Sequence, residues 1–558
     1  MSSTFKINPQ IDLNISSIIT PFAAKNIQGL SYIDKYLLAI DTSLGYLLKI
    51  DPETNNTQIL NPENTEDFIG ITDLAIEGNT LWVVKDNLVY FCQLDNLKLQ
   101  TFLSLKYPIN GIAVSESTLY LSCQKFGYIL VYSHKLNQEI TRFYLPGIGQ
   151  EKMTIKGENL WICDDIEQSI YCLDRATGSV IFNVLTPFEH PQGLSFYPEL
   201  GGGEEKLYIA YANEEPFIRD NPNVEPNFEL DYRDRTFIHP LTYYYNAPEK
   251  YALSNGYLIE MSYVEELAPL AEFNLNKVEW RIALPSETQR QQIVSIEPIG
   301  VPFTEEVIDG QRVAVFKFEQ LKSSDRYIFG WKALMRVYSI KYQLTPQDVE
   351  NCPPLPPEFT KPYLTDNDNL AMDTYTIRRA AQEAIGTETN ILRQIYKIRN
   401  YVYDRLSYGI KPRIDPPDVA LERGVGSCGE YLGVLLALAR LNGIACRTVG
   451  RYKCPKHPEI IGLPQEPEFN HVWMEFYIPG FGWLPMESNP DDIVETGPYP
   501  SRFFMGLAWY HTEIGKGISF TTVTSQNVLL TKETVPISDL AINHVRYRVL
   551  GELSPLSN

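Results

Sequence analysis

Between residues 26 and 265, short apolar runs return at a nearly constant interval. Runs beginning at Gln28, Thr72, Asn110, Glu151 and Gln192 follow one another at steps of 44, 38, 41 and 41. Each leads into a second apolar run: Leu37–Ile40, Leu81–Val84, Leu119–Ser122, Leu160–Cys163 and Leu207–Ala210. A third follows in places, as at Tyr46–Ile50 and Tyr128–Tyr132. A period near 41 with about four strands per unit predicts propeller blades, small sheets that bury their faces by stacking on their neighbours. Five units are visible. A sixth is expected from Ser254 to Tyr263, with the N-terminal strand closing the ring. The fifth is interrupted from Pro216 to Tyr251 by an aromatic and acidic insertion, of the kind that lines a functional rim or an interdomain contact.

The pattern then changes. Residues 266–350 alternate in longer stretches (Val278–Leu284, Ile293–Ile296, Arg312–Phe318, Lys332–Tyr342), which predicts a small antiparallel β-sandwich. A proline-rich run from Cys352 marks residues 351–369 as a stiff linker. Beyond it, Ile391, Ile395, Ile398 and Val402 recur at helical spacing, and a second helix is expected from Cys428 to Leu441, stopped at Gly443. Strands follow from Arg447. The fold class is therefore multidomain: a propeller-like all-β domain over 1–265, the sandwich, the linker and an α+β domain over 370–558 with its core at 385–500. The repeats resemble propellers of the NHL or quinoprotein-like kind in period and strand grammar.

Composition narrows the function. The 558 residues carry a formal net charge of −21. That excess of carboxylates argues against nucleic acid and against anionic membrane as partners, since both need clustered Lys and Arg. Met1–Pro9 has no apolar core and no stretch approaches 18 apolar residues, so a cytoplasmic protein without a membrane span is expected. Eight cysteines without framework spacing are expected to be free thiols.

Three residues suggest chemistry. Cys428 lies in Gly-Val-Gly-Ser-Cys-Gly-Glu at the mouth of the second helix, His471 follows 43 residues later on a strand, and Glu487 another 16 later on the next. A helix N-terminus stabilises a thiolate and offers amide donors to an oxyanion, and Gly426 and Gly429 flank the thiol, leaving room for a substrate backbone. His471 is suited to be the general base, on one face with Trp473 and Glu475. Trp473 and Trp483 read as core or as pocket walls. An odd-length turn around Pro479–Gly482 would place Glu487 opposite Trp473 and diagonal to His471. An even turn would bring in Asp492, and Asp491 and Asp492 stand as reserves. Cys446, Cys454 and His457 lack a fourth ligand for zinc, so no metal and no cofactor are expected. His511 reads as a structural residue or one at the rim of the site.

These segments, with Leu438–Gly450 between them, resemble the transglutaminase-like superfamily of papain-like cysteine enzymes. The resemblance implies Cys428 as nucleophile, His471 as base and Glu487 in the acid position, commonly Asp in the family. It implies an oxyanion donor upstream, for which Tyr408 is a candidate. It further implies acyl chemistry at amide or peptide bonds through a thioester, hydrolysis before transfer, on a protein or peptide substrate recognised by the propeller. The alternative is a transglutaminase-like protein without activity, serving as a propeller-based binding scaffold.

Overall fold

A computed structural model describes residues 18–198, 205–220, 228–268, 272–458, 460–467, 470–531 and 534–555, with backbone alone for 215–220 and 228–234. The Met1–Pro9 stretch and residues 221–227 of the insertion lie outside the described residues. The chain forms two compact units, one running to Tyr245 and the other from Asn246 to Pro555.

The first unit is propeller-like. Four sheets have four antiparallel strands and a fifth has three, each built from consecutive strands. The first strands, Ile27–Ile33, Ile71–Glu77, Gly111–Ser115, Glu151–Lys156 and Pro191–Tyr197, lie side by side in that order, and the last returns to the first. Second strands carry near-continuous apolar runs in their middles because both faces are covered. Leu37 and Ala39 of Tyr36–Asp41 pack with the fifth sheet, whereas Leu38 and Ile40 pack with the second. At the closure a Cβ on Gly193 would lie 2.9 Å from the backbone of Gly29. Gly193→Ala is therefore expected to destabilise this unit by about 1–3 kcal/mol, read as a lower melting temperature of its transition.

The sixth repeat expected from Ser254 to Tyr263 is something else. It belongs to the 17-residue strand Tyr251–Leu267, which pairs with Ile328–Tyr342 on one side and Ala541–Leu553 on the other. From Ile259 onward its positions alternate buried and half-buried, the mark of a sheet with one face against a core rather than a blade strand covered on both. The sandwich is likewise larger than the expected 266–350. Its second sheet runs through Asn274–Ala283, Gln311–Lys322 and Thr304–Ile308 and is extended by Thr521–Ser525 and Val528–Leu529. Strands from the end of the chain thus complete both sheets, and 370–558 is not a separate globule. The expected linker is also no free spacer: Phe359 stacks on Trp483 and Tyr363 meets it edge-on.

Both expected helices are present, at Ile391–Tyr403 and Cys428–Leu441, and Gly443 has the left-handed backbone (φ 75°) of a helix stop. A third helix, Tyr375–Ile385, buries Ile377, Ala380, Ala381 and Ala384 along one stripe. These helices cover one face of an antiparallel sheet ordered Gly482–Met486, Asn470–Ile478, Cys446–Lys453, His511–Ile514. Met474, Phe476, Ile478, Leu484 and Met486 pack under the helices. On the opposite face, Val449 and Trp473 pack with Leu258, Tyr338, Ile340 and Leu507 of the sandwich. Among the described residues no helix is long and apolar enough to cross a membrane.

Candidate active site

Cys428 is the first residue of its helix, and the turn before it is locked. Glu430 accepts from the Ser427 N–H at 2.9 Å and from Arg423, which also donates to the Val425 carbonyl and pairs with Asp415. The glycines beside the thiol serve the protein's own packing rather than an approaching substrate. A Cβ on Gly429 would meet Ile414 at 2.7 Å, and one on Gly426 would meet Glu430 at 2.7 Å. Ser407–Tyr408 pairs in parallel with Val425–Gly426, which brings the half-exposed Tyr408 near Cys428; partial burial first, and then the charge of an ionised Cys428, raise its phenol.

The sulfur rests against the start of the histidine strand. Sγ lies 4.0 Å from the Asn470 carbonyl, and the Val472 N–H points toward it. The thiol was expected to be acidified by its helix. Instead its pKa is raised: burial outweighs the Val472 and Gly429 N–H groups and the Lys453 ammonium, and the Glu487 charge adds to the rise. Position at a helix mouth is legible in sequence, but depth is not.

The turn joining the two strands has three residues, since Ile478 pairs with Gly482 and Met474 with Met486. Continuing that register sets Glu487 opposite Trp473 and diagonal to His471. His471 Nε2 lies 2.7 Å from Glu487 Oε2, both side chains being buried. Neither reserve carboxylate takes this place. Asp491 accepts from Arg502 and the Phe503 N–H, and Asp492 from the Tyr431 hydroxyl. The Trp473 ring stacks beside His471, while Trp483 lies under the Arg447 guanidinium at 4.1 Å.

Two partners of Glu487 were missed by sequence reasoning. Oε1 is 2.5 Å from His511 Nε2 and 2.6 Å from Lys453 Nζ, and Oε2 accepts also from the Ser488 N–H at 3.0 Å. Strand parity offered a partial signal, because Lys453 alternates onto the same face as Arg447 and Arg451. Nothing local announced His511, whose strand joins the sheet beside Cys446–Lys453.

The electrostatics are those of one anion among donors. Burial opposes ionisation of Glu487, yet His471, Lys453 and His511 together hold its carboxyl well below the usual range. Burial, aided by Lys453, lowers His471 against the pull of Glu487. The same two causes push His511 down to about 3. Burial lowers Lys453 as well, with Glu487 pulling it back up; these directions favour a Glu487 anion beside two neutral imidazoles. Cys446 and Cys454 are buried, and among the described residues no group of three or more His, Cys, Asp or Glu is arranged for a metal ion.

Residues 378–488 match the transglutaminase-like superfamily. A search of curated protein sequences finds no match. Among solved structures, a candidate cysteine protease from Cytophaga hutchinsonii aligns over 54% of this chain and 93% of its own at 14% identity, TM-score 0.38. Regucalcin, a calcium-binding protein from Agrobacterium tumefaciens, aligns over 41% of this chain and 95% of its own at 10% identity, TM-score 0.27. A mostly β N-terminal region of small antiparallel sheets thus precedes an α+β region, and residues 378–488, carrying Cys428, His471 and Glu487, are a transglutaminase-like domain.

Proposed function

We propose that this domain is a cysteine-dependent acyl-transfer centre acting on amide or peptide bonds. One observation carries the reading: the Cys428 sulfur lies against the backbone on both sides of His471, while Glu487 holds Nε2 of that imidazole.

The protonation states give the sequence of events. Because Glu487 is an anion and His471 is neutral, the shared hydrogen sits on Nε2 and the lone pair on Nδ1. Nδ1 takes the thiol proton as sulfur bonds to the carbonyl carbon. The carbonyl oxygen gains charge and is met by N–H groups at the helix start and by Tyr408. His471, now an imidazolium facing Glu487, gives its proton to the departing amine, and a thioester remains. Water deprotonated at Nδ1 then adds to the thioester carbon, releasing an acid and restoring the thiol. Hydrolysis is the simpler outcome, because water needs no site of its own; an amine in its place gives transfer. The propeller-like unit supplies recognition of a protein or peptide substrate by presenting loops on a rigid frame, in a reducing cytoplasm.

The raised thiol is the observation that favours the alternative, a binding scaffold without activity. Incubation with a peptide library, with and without a primary amine, separates the two. We expect cleaved or amine-coupled products and, on acid quench, an acyl adduct on the peptide containing Cys428. Folded protein with no product and no adduct would leave the scaffold.

The acid limb of activity is set by His471, since its protonation removes the base. Its pKa is lowered in the folded protein, so the base survives to more acidic pH than a free imidazole allows. The limb of kcat/KM against pH is expected below the ordinary histidine value of about 6.5.

A further inference from the structure

The carboxylate of Glu487 is divided between two tasks. Oε2 faces His471 Nε2 and the Ser488 N–H, and Oε1 faces His511 Nε2 and Lys453 Nζ. A glutamate reaches its imidazole through three side-chain torsions, each of which costs entropy to fix. Donors on the second oxygen remove that freedom by pinning the plane of the group.

His511 is built for this. Its ring packs against Trp473, Phe503 and Tyr510 at centroid distances of 5.2, 5.4 and 4.7 Å, and it is fully buried. Its Nδ1 abuts the Ala508 carbonyl, which accepts already from Arg290 at 2.7 Å and from the His511 N–H at 3.1 Å. Of the two acceptors, Oε1 is charged and nearer, at 2.5 Å against 3.1 Å, so Nε2 is the nitrogen that keeps the hydrogen. Lys453 lies directly across from His511 in the register of their strands and supplies the balancing positive charge. The remaining charged groups bearing on this cluster are Cys428, Lys456, Arg502 and Arg290.

We infer that His511 and Lys453 are positioning residues: they clamp Oε1 of Glu487 so that Oε2 stays aimed at His471, which lets a glutamate serve as the orienting acid. This rests on the acyl-transfer reading above. Neither residue touches the reacting atoms; His511 acts through Glu487, and Lys453 does so in addition to the field its charge sets at Cys428 and His471.

The test uses the full chain and p-nitrophenyl acetate as acyl donor, with nitrophenol release following acylation of Cys428 and Cys428→Ala as blank. His511→Phe keeps the ring packing but removes the donor, and acylation at saturating ester is expected to fall roughly 10²-fold, with half-saturation unchanged. His511→Gln returns an N–H to Oε1 and is expected to restore the rate to within about threefold of wild type. Lys453→Met should resemble His511→Phe. Equal rates in His511→Phe and wild type, or equal loss in Phe and Gln variants, would overturn the clamp while leaving the acyl-transfer reading intact. Wild type no faster than the blank would sink both. If the variants fail to fold, ¹⁵N-histidine NMR of wild type decides: His471 and His511 should both carry hydrogen on Nε2 at neutral pH, and an Nδ1–H form of either overturns the clamp.

Discussion

Acyl transfer by the Cys428→Ala protein is expected to fall at least about 10³-fold, with the fold unchanged. Alanine is the best helix former and keeps the first helical position. The turn before it is held by Ser427, Glu430 and Arg423, none of which depends on the sulfur. The thiol contributes little packing, since Cys428 is part-exposed and its sulfur lies 4.0 Å from the Asn470 carbonyl. What disappears is the atom that bonds to carbon, and the other members of the site cannot act without it. The measurement is product formation from the peptide library beside circular dichroism of the same sample. A folded alanine protein with more than a tenth of wild-type turnover would place the chemistry elsewhere.

Arg290→Met is expected to have the largest effect on stability, about 3–5 kcal/mol. The guanidinium is 2% exposed and donates to the carbonyls of Tyr338 at 2.9 Å, His511 at 2.8 Å and Ala508 at 2.7 Å. It also pairs with Glu513 at 3.5 Å. Methionine matches its volume, so little of the cost is a cavity. The cost arises because three buried carbonyls lose a charged donor and Glu513 keeps Lys516 alone as its close cation. Because the chain has two units, a single unfolding midpoint is the wrong measure. Amide hydrogen exchange is the right one: protection in Ile328–Tyr342 and His511–Ile514 should fall by that amount, while the sheets up to Tyr245 keep theirs. A change under 1 kcal/mol in those strands would show that water or neighbours replace the arginine.

The parts of this protein legible in sequence were those governed by short periods. The repeat near 41 residues gave the small sheets, and the spacing of Ile391, Ile395, Ile398 and Val402 gave a helix. Alternation along the strands gave the geometry of Glu487, because a three-residue turn fixes which side chains share a face. Where pairing joins distant segments, local pattern is silent. Tyr251–Leu267 looked like one more repeat because its Gly256–Ile259 run has the same strand pattern as Gly45–Leu48; its partners begin at Ile328 and Ala541. His511 and Lys453 could not be attached to Glu487 without the order of four strands. The helix Tyr375–Ile385 was missed because its buried stripe is mostly alanine, which carries little apolar contrast. The acidity of Cys428 was misjudged for a related reason, since it is set by how deeply the surrounding chain covers the sulfur.

The pairing of Tyr251–Leu267 with Ala541–Leu553 has a consequence for synthesis of the protein. A ribosome adding about 5–20 residues per second needs roughly 14–54 s to make the ~270 residues between them. Throughout that interval one long strand waits with its hydrogen-bonding edge bare, and the thiol, imidazole and carboxylate are all translated before its partner. The nascent polypeptide therefore carries these three side chains before the sheet behind them is complete, with an open strand edge exposed to wrong pairing until the closing strand arrives.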